Sequence, residues 1–273
     1  MIEQFTEAKI DIKRIRKDIF HSTAPGFFVV KGFAKIKQIE QLRSFWSNKK
    51  IQDVFHQFIK NKEVMFGSPN YMYNKPKEKD FAYCCFFWNE PLCEITHQLV
   101  FNAQRLRNEI EGRPCYYGLT AGGERHLQYR VCNSRSGGII VHPHGDFIEQ
   151  ERKDPTGNHE FDPSRIQATL VLSSKGEDYS GDGFIFTTNQ GKKLSFADMG
   201  VKAGDLVLWR YGNIHEVKNL EVNEQQLGFL RVILPMFDLT FRSRLVPENT
   251  RQLEYIGKVK NKRLYKETLD EDT

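Results

Sequence analysis

The sequence predicts a mainly β protein with flanking helices, an α+β chain built around a β-barrel or sandwich. Two observations carry that expectation. Near residue 125 the chain changes texture, from helical periodicity to short β-type runs. Those runs are punctuated at close intervals by turn-forming residues, the pattern of strands in a closed or two-layered β core. At 273 residues one such domain accounts for the whole chain, because barrels and sandwiches of this size are commonly undivided. The expected division is a helix-rich part over 1–125 packed on the barrel, a β core over 126–239 and a C-terminal extension over 240–273.

The elements follow in chain order. Ile10 to Phe20, Ile36 to Lys60 and Leu92 to Ile110 space their apolar residues three and four apart, so one face of a helix can be buried. GFFVVKGF at 26–33 is a short β-rich run bounded by glycine, and FAYCCFFW at 81–88 is a second candidate strand. Beyond residue 125 come HLQYRVC (126–132), GIIVHPH (138–144), RIQATLVLS (165–173), GFIFTT (183–188), DLVLWR (205–210) and GFLRVILPMF (228–237). SRSGG, DPTGN, KGEDYSGDG, NQGKK and KAGD separate them, each rich in residues that favour turns. From Thr240 the chain turns polar and charged, and a helical or irregular tail is expected.

Composition narrows the function classes. With 39% hydrophobic and 27% charged residues, the chain reads as an ordinary soluble globular protein. It contains no run of about 18 apolar residues, the minimum for a membrane-spanning helix. The opening MIEQFTEAKIDIKRIRKDIF is charged throughout and lacks the apolar stretch of a secretory signal. Cys84, Cys85, Cys93, Cys115 and Cys132 show neither CxxC spacing nor an even count, which points to reduced thiols in a cytoplasmic protein. The net charge of +5 is spread thinly, densest in KRIRK at 13–17 and between Lys258 and Lys266. Nucleic-acid binders carry a more clustered basic footprint. A small-molecule substrate is therefore expected, with no membrane or nucleic-acid partner.

Three side chains carry chemistry: His144, Asp146 and His215, the last at the end of the candidate strand DLVLWRYGNIH. His144 and Asp146 are two positions apart, so at a strand end both project toward one face. Gly145 between them removes a side chain that would crowd the turn. Two histidines and one carboxylate can hold a metal facially while leaving positions open, the arrangement of non-haem Fe(II) oxygenases. His142 and His144 could each supply a ligand, but only His144 gives the HxD spacing. His142 is read as a supporting residue.

The order HPHGD, then GDGFIF, then KAGDLVLWRYGNIHEV, then GFLRVIL resembles the double-stranded β-helix (jelly-roll, cupin-like) core of the Fe(II)/2-oxoglutarate-dependent dioxygenases. The phytanoyl-CoA hydroxylase and prolyl hydroxylase branches are the most similar. The resemblance spans 126–237, and GFFVVKGFAKIKQIEQLRSFW looks like the lead-in strand and helix of the phytanoyl-type enzymes. It implies that His144, Asp146 and His215 bind Fe(II) and that Arg231 clamps the distal carboxylate of 2-oxoglutarate. An arginine suits that role, since its planar fork binds a carboxylate through two charge-assisted bonds. Two features depart from the family pattern: the stretch between His215 and Arg231 is longer, with NLEVNEQQ read as a longer loop, and Ile233 stands where a serine is frequent. Gln128 and Arg130, with His126 on the same alternating face, are candidates for further co-substrate contacts or for core-flanking polar residues. Arg165 and Gln167 at the start of the following strand are open to the same two readings. Tyr83, Phe86, Phe87, Trp88 and Trp209 read as core.

The implied reaction consumes O2 and 2-oxoglutarate and releases succinate and CO2 as a substrate is hydroxylated. Halogenating relatives carry Gly or Ala at the carboxylate position, so Asp146 argues for hydroxylation. Two alternatives share the barrel: a cupin-type metalloenzyme that does not use 2-oxoglutarate, and a non-catalytic β-barrel binding module. The polar loop 147–164 is expected to act as a lid over the metal, and residues 60–125 to supply substrate wall.

Overall fold

The computed structural model describes residues 10–48, 70–75, 80–87, 89–119, 125–135, 137–146, 166–238, 252–259 and 262–268. Arg165, Trp88, the loop 147–164 and the helical pattern beyond Asn48 lie outside these residues. Three helices form where the periodicity expects them: α1 (Ile12–Phe20), α2 (Ile36–Trp46) and α3 (Glu94–Glu111). Asp11 caps α1 by accepting the Arg14 N–H at 3.0 Å, which satisfies one of the orphan donors of the first turn.

Fourteen strands are present among the described residues. They are β1 (Phe27–Val30), β2 (Tyr71–Lys75), β3 (Asp80–Phe86), β4 (Arg125–Ser134), β5 (Ile139–His144), β6 (Ile166–Val171) and β7 (Ser180–Thr187). They continue with β8 (Lys193–Ser195), β9 (Leu206–Arg210), β10 (His215–Glu221), β11 (Phe229–Ile233), β12 (Met236–Asp238), β13 (Gln252–Val259) and β14 (Lys262–Thr268). The larger sheet runs β1-β9-β6-β11-β4-β3-β2, with β12 also paired to β4; the smaller runs β5-β10-β7-β8. From β4 onward the chain alternates between them: β4, β6, β9 and β11 enter the larger sheet, and β5, β7, β8 and β10 the smaller. Every pairing between these strands is antiparallel. That winding is the jelly-roll.

Side-chain alternation sorts the larger sheet into two faces. Leu206 and Leu208 of β9 and Leu230 and Val232 of β11 join the helix-side core with Leu99, Val100, Ala103 and Ile110 of α3. Val207, Trp209 and Phe229 point the other way, into a second core with Phe184, Phe186 and Val217 of the smaller sheet. The larger sheet is thus covered on both faces. The smaller one buries a single face, so the region between the sheets is the floor on which a site can be built.

Turn chemistry fixes how β1 and α2 meet this floor. Asp205 of the KAGD turn accepts the N–H groups of Gly32 and Lys202, each at 2.9 Å, and pairs with Lys31 at 3.0 Å. Gly204 before it sits at φ +92°, and a Cβ there would lie 2.9 Å from the Ala34 carbonyl oxygen. Only glycine meets both demands.

Four expectations are corrected. The run GFLRVILPMF is two strands rather than one, because Pro235 cannot donate to a ladder and the pairing breaks between Ile233 and Met236. His215 does not end the strand begun at Leu206; a turn at 211–214 intervenes, and His215 opens a separate strand, β10. Asn219, Leu220 and Glu221, expected in a loop, belong to that strand. The tail is neither helical nor irregular over 252–268: it carries the β13–β14 hairpin. The two N-terminal runs expected as strands do form, as β1 and β3, and extend the larger sheet through β9 and β4, while β2, which pairs with β3, was not expected.

Candidate metal centre

The site grows out of the junction between β5 and β10. His144 closes β5, His215 opens β10, and the two are direct partners in the antiparallel register. Their ring centroids lie 4.4 Å apart. Asp146 follows one residue after Gly145, and its backbone N–H donates to the Tyr211 carbonyl at 3.2 Å, tying the ligand turn to the turn before His215. A Cβ on Gly145 would come within 2.9 Å of the Gly212 carbonyl oxygen. The two turns can approach this closely only because residue 145 has no side chain.

One donor atom from each of His144, Asp146 and His215 lies within 4.8 Å of the other two. The Asp146 carboxylate is 3.9 Å from His144 Nε2 through Oδ1 and 3.8 Å from His215 Nε2 through Oδ2. Those separations are too long for hydrogen bonds and leave room for a cation between the three.

The tautomers fit this reading. His144 Nδ1 is 2.8 Å from the His142 carbonyl oxygen, and His215 Nδ1 is 3.1 Å from the Asn213 carbonyl oxygen. A carbonyl only accepts, so each Nδ1 donates its hydrogen and each Nε2 keeps its lone pair toward Asp146. His142 therefore serves through its backbone, while its own side chain is exposed. Burial pushes the His215 imidazole below its usual pKa; Asp146 and the Asn213 carbonyl oppose that shift, and His144 adds to it. A neutral imidazole is the form a metal needs. Phe184 stacks on the His215 ring at 5.6 Å and Trp209 meets it edge-on at 5.4 Å, which holds its plane.

Gln167, on β6, reaches Asp146 from the larger sheet. Its Nε2 donates to Asp146 Oδ2 at 3.2 Å, and its Oε1 accepts the Ala168 N–H at 3.1 Å. The second bond fixes which end of the amide faces the carboxylate.

Arg231 lies on β11 and faces the inter-sheet core. It is buried, donating to Ser134 Oγ at 3.2 Å and the Phe229 carbonyl at 3.1 Å, with its guanidinium 4.4 Å from the Phe229 ring centre. No carboxylate among the described residues comes within ion-pairing distance of it. Burial lowers its pKa, offset in part by Cys132, Asp80 and Tyr179. A buried cation served only by neutral acceptors has capacity for an anion.

Arg130 and Cys132 on β4 pair with Ile233 and Arg231 on β11, so this stretch of β4 shares the same face. Gln128 is fully buried and accepts the Arg130 Nε at 2.8 Å. Two more polar atoms on this wall, Thr169 Oγ1 and Trp209 Nε1, are buried with no hydrogen-bond partner among the described residues. Sequence reasoning grouped Trp209 with the core aromatics and did not single out Thr169. The signal was available for Thr169 and Gln167: they are the polar residues of an otherwise apolar strand, IQATLV, and they alternate toward one face.

No protein-family model matches the chain, and no curated protein matches it by sequence. Solved structures do. A Pseudomonas putida prolyl-4-hydroxylase matches with a TM-score of 0.50 and 14% identity, over 82% of this chain and 96% of that one. A Trichoplax adhaerens prolyl hydroxylase, solved with a hypoxia inducible factor peptide, matches at 0.50 and 16%, over 87% and 94%. EctD from S. alaskensis matches at 0.50 and 10%, over 86% and 79%. The fold is the one these proteins share. The same jelly-roll follows independently from the strand order, and it is the fold that the sequence resemblance implies. Among the described residues no helix is long and apolar enough to cross a membrane.

Proposed function

We propose that this protein is a non-haem Fe(II)/2-oxoglutarate-dependent oxygenase that hydroxylates a small-molecule metabolite. One observation carries the reading: His144, Asp146 and His215 converge their donor atoms, with both histidine Nε2 lone pairs turned inward. The donor set is the 2-His-1-carboxylate set of non-haem iron. A buried arginine on the facing strand supplies what a cupin-type enzyme without 2-oxoglutarate has no use for.

His144, Asp146 and His215 would hold Fe(II), and Arg231 would bind the distal carboxylate of 2-oxoglutarate. Once bound, iron and 2-oxoglutarate supply the oxidising power, consuming O2 and releasing succinate and CO2. The chain's own residues do the rest. The two Nδ1–H···O=C bonds orient the imidazoles, and Gln167 orients the carboxylate. Phe184 and Trp209 keep water from one side of His215. His144 is the more open ligand, its side chain 30% exposed against 8% for His215, so substrate approaches from the β5 side. Free thiols at all the cysteines support a reducing, cytoplasmic setting. The diffuse charge supports a metabolite over nucleic acid. Gln128, Arg130 and Arg165 are further candidates for the co-substrate wall.

Anaerobic titration of the protein with Fe(II), with and without 2-oxoglutarate, tests the reading. A visible metal-to-ligand charge-transfer band that needs both components is the expected result, followed by succinate release when O2 is admitted. Metal binding without that band would favour the cupin-type enzyme, and no metal binding would favour a binding module.

A further inference from the structure

Helix α3 carries two charged residues that face inward at the barrel rather than outward to solvent. Arg107 is 1% exposed. Its guanidinium donates to the Leu234 carbonyl at 2.6 Å, to the Ile166 carbonyl at 3.5 Å and to the Gln104 side-chain oxygen. Glu111, one helical turn on, accepts the Ile166 N–H through Oε1 at 2.6 Å and the Arg113 Nε through Oε2 at 3.2 Å. Both polar backbone groups of Ile166 are therefore held by charged side chains of one helix. The next residue is Gln167, whose amide is the group that touches Asp146.

This placement is costly unless it serves something. Burial pushes the Arg107 guanidinium below its ordinary pKa, and Glu111, Tyr211 and Asp146 offset it in turn. Apolar side chains of similar volume would fasten α3 to the sheet at no desolvation cost. What a hydrophobic contact would not do is fix the first residue of β6 to within a hydrogen bond, because apolar packing is non-directional. Ile166 is also where such fixing is needed. It pairs with Arg210, the last residue of β9, and so lies at the end of the ladder among the described residues.

We propose that Gln167 is a positioning residue for the Asp146 carboxylate, held in register from behind by the buried Arg107 and Glu111 of α3. The chain of contacts runs from α3 to the Ile166 backbone, to the Gln167 amide, to Asp146 Oδ2. Gln167 holds Oδ2, the oxygen nearest His215 Nε2, and so sets the rotation of the carboxylate whose Oδ1 faces His144 Nε2. The inference rests on Asp146 being a metal ligand and deepens the function proposed above. Arg107 and Glu111 act through Gln167 and touch neither metal nor substrate.

Co(II) alone, titrated into the apo full-length chain and followed by its visible absorption, separates this from a merely structural role. Gln167→Met keeps the volume and loses both hydrogen bonds. It is expected to weaken Co(II) binding by about tenfold, in the range seen when groups supporting metal ligands are removed. Glu111→Gln keeps an acceptor for Ile166 but removes the charge opposite Arg107, and a loss of about threefold is expected, by the same linkage. The double variant should be no weaker than Gln167→Met by more than about twofold, because residues on one path are not additive. Gln167→Leu repeats the measurement with a second apolar side chain, in case one variant folds poorly. Wild-type binding in a Gln167 variant would overturn the proposal, as would full additivity in the double variant. If the wild-type chain itself takes up no Co(II), the metal site is what fails, and that result is distinct from either.

Discussion

The two sheets of the barrel divide the chemistry between them. The smaller sheet supplies both histidines, on β5 and β10, and the turn that carries Asp146. The larger sheet supplies Gln167 and Arg231, on β6 and β11, and none of the three converging donors. Burial explains the division. A strand covered on both faces can hold a guanidinium away from water and pair it with an anion strongly, because the local dielectric is low. A sheet with one open face can instead present ligands at its rim, where metal and substrate reach them. The smaller sheet should therefore govern metal binding and the larger one co-substrate binding.

The sharpest way to break that division is His215→Ala. It removes the more buried ligand and leaves two donors, so Fe(II) affinity should fall by at least about 100-fold, the upper end for loss of a supporting group alone, and turnover should cease. Anaerobic Fe(II) titration measures the first and succinate release the second. Undiminished metal binding would move the site elsewhere.

Arg231→Met tests the other half. The aliphatic replacement fills the same space but leaves a buried carboxylate of 2-oxoglutarate unpaired, at about 2–5 kcal/mol. The apparent KM for 2-oxoglutarate should rise by roughly 30-fold or more, while Fe(II) binding measured without 2-oxoglutarate stays within about twofold, since Arg231 contacts no metal ligand. A variant that loses metal and keeps its KM would reverse the assignment of the two sheets.

Gly145→Ala asks whether the smaller sheet's ligands depend on the turn packing between residues 145 and 212. The added methyl meets a backbone carbonyl at 2.9 Å, which cannot rotate away as a side chain would. The turn must shift, carrying His144 and Asp146 with it. Fe(II) affinity should weaken by about tenfold, with a smaller effect on the 2-oxoglutarate KM. Equal affinity in variant and wild type would show that the ligand turn tolerates displacement.

How far the sequence exposed these sheets also differs. Most of the larger sheet, though not β2, was legible because its strands are largely apolar runs such as LVLW and FLRVI, the second broken only by Arg231, with their boundaries marked by KAGD and by glycine. The HxD pair and the distal histidine were legible from spacing and order. β10 was not recognised as a strand. Only Val217 and Leu220 of its interior face the core, register shifts interrupt its pairing with β5, and Asn219 sits at φ 49°. Such irregularity destroys the alternation on which strand reading depends. β8, three residues long, offers too little pattern to recognise. Arg107 and Glu111 read as the ordinary polar positions of an amphipathic helix, because nothing local says that their face meets the barrel.

The smallest predicted effect marks where the smaller sheet stops mattering to the site. β8 lies at the edge opposite β5, and its end is held by Asp198, whose Oδ2 accepts the Ser195 N–H at 2.8 Å and the Ser195 hydroxyl at 2.7 Å. Those two bonds favour the ionised form and hold the carboxyl below its usual pKa, with Lys175 and Lys192 adding a little. The folded-state value therefore lies below the unfolded value of 3.8. Asp198 then contributes stability fully above that pH and loses it as pH falls through the folded value. Asp198→Asn keeps an acceptor but cannot titrate. The stability gap between wild type and variant, read from denaturant midpoints, should be small and constant near neutral pH and should close in acid. A gap that widens on acidification would mean that the carboxylate is stabilised in the unfolded chain instead. Fe(II) affinity should not differ between the two, because β10 and β7 stand between Asp198 and the β5 end of the sheet. A metal-binding defect in Asp198→Asn would mean that the whole smaller sheet, and not only its β5–β10 half, sets the geometry of the ligands.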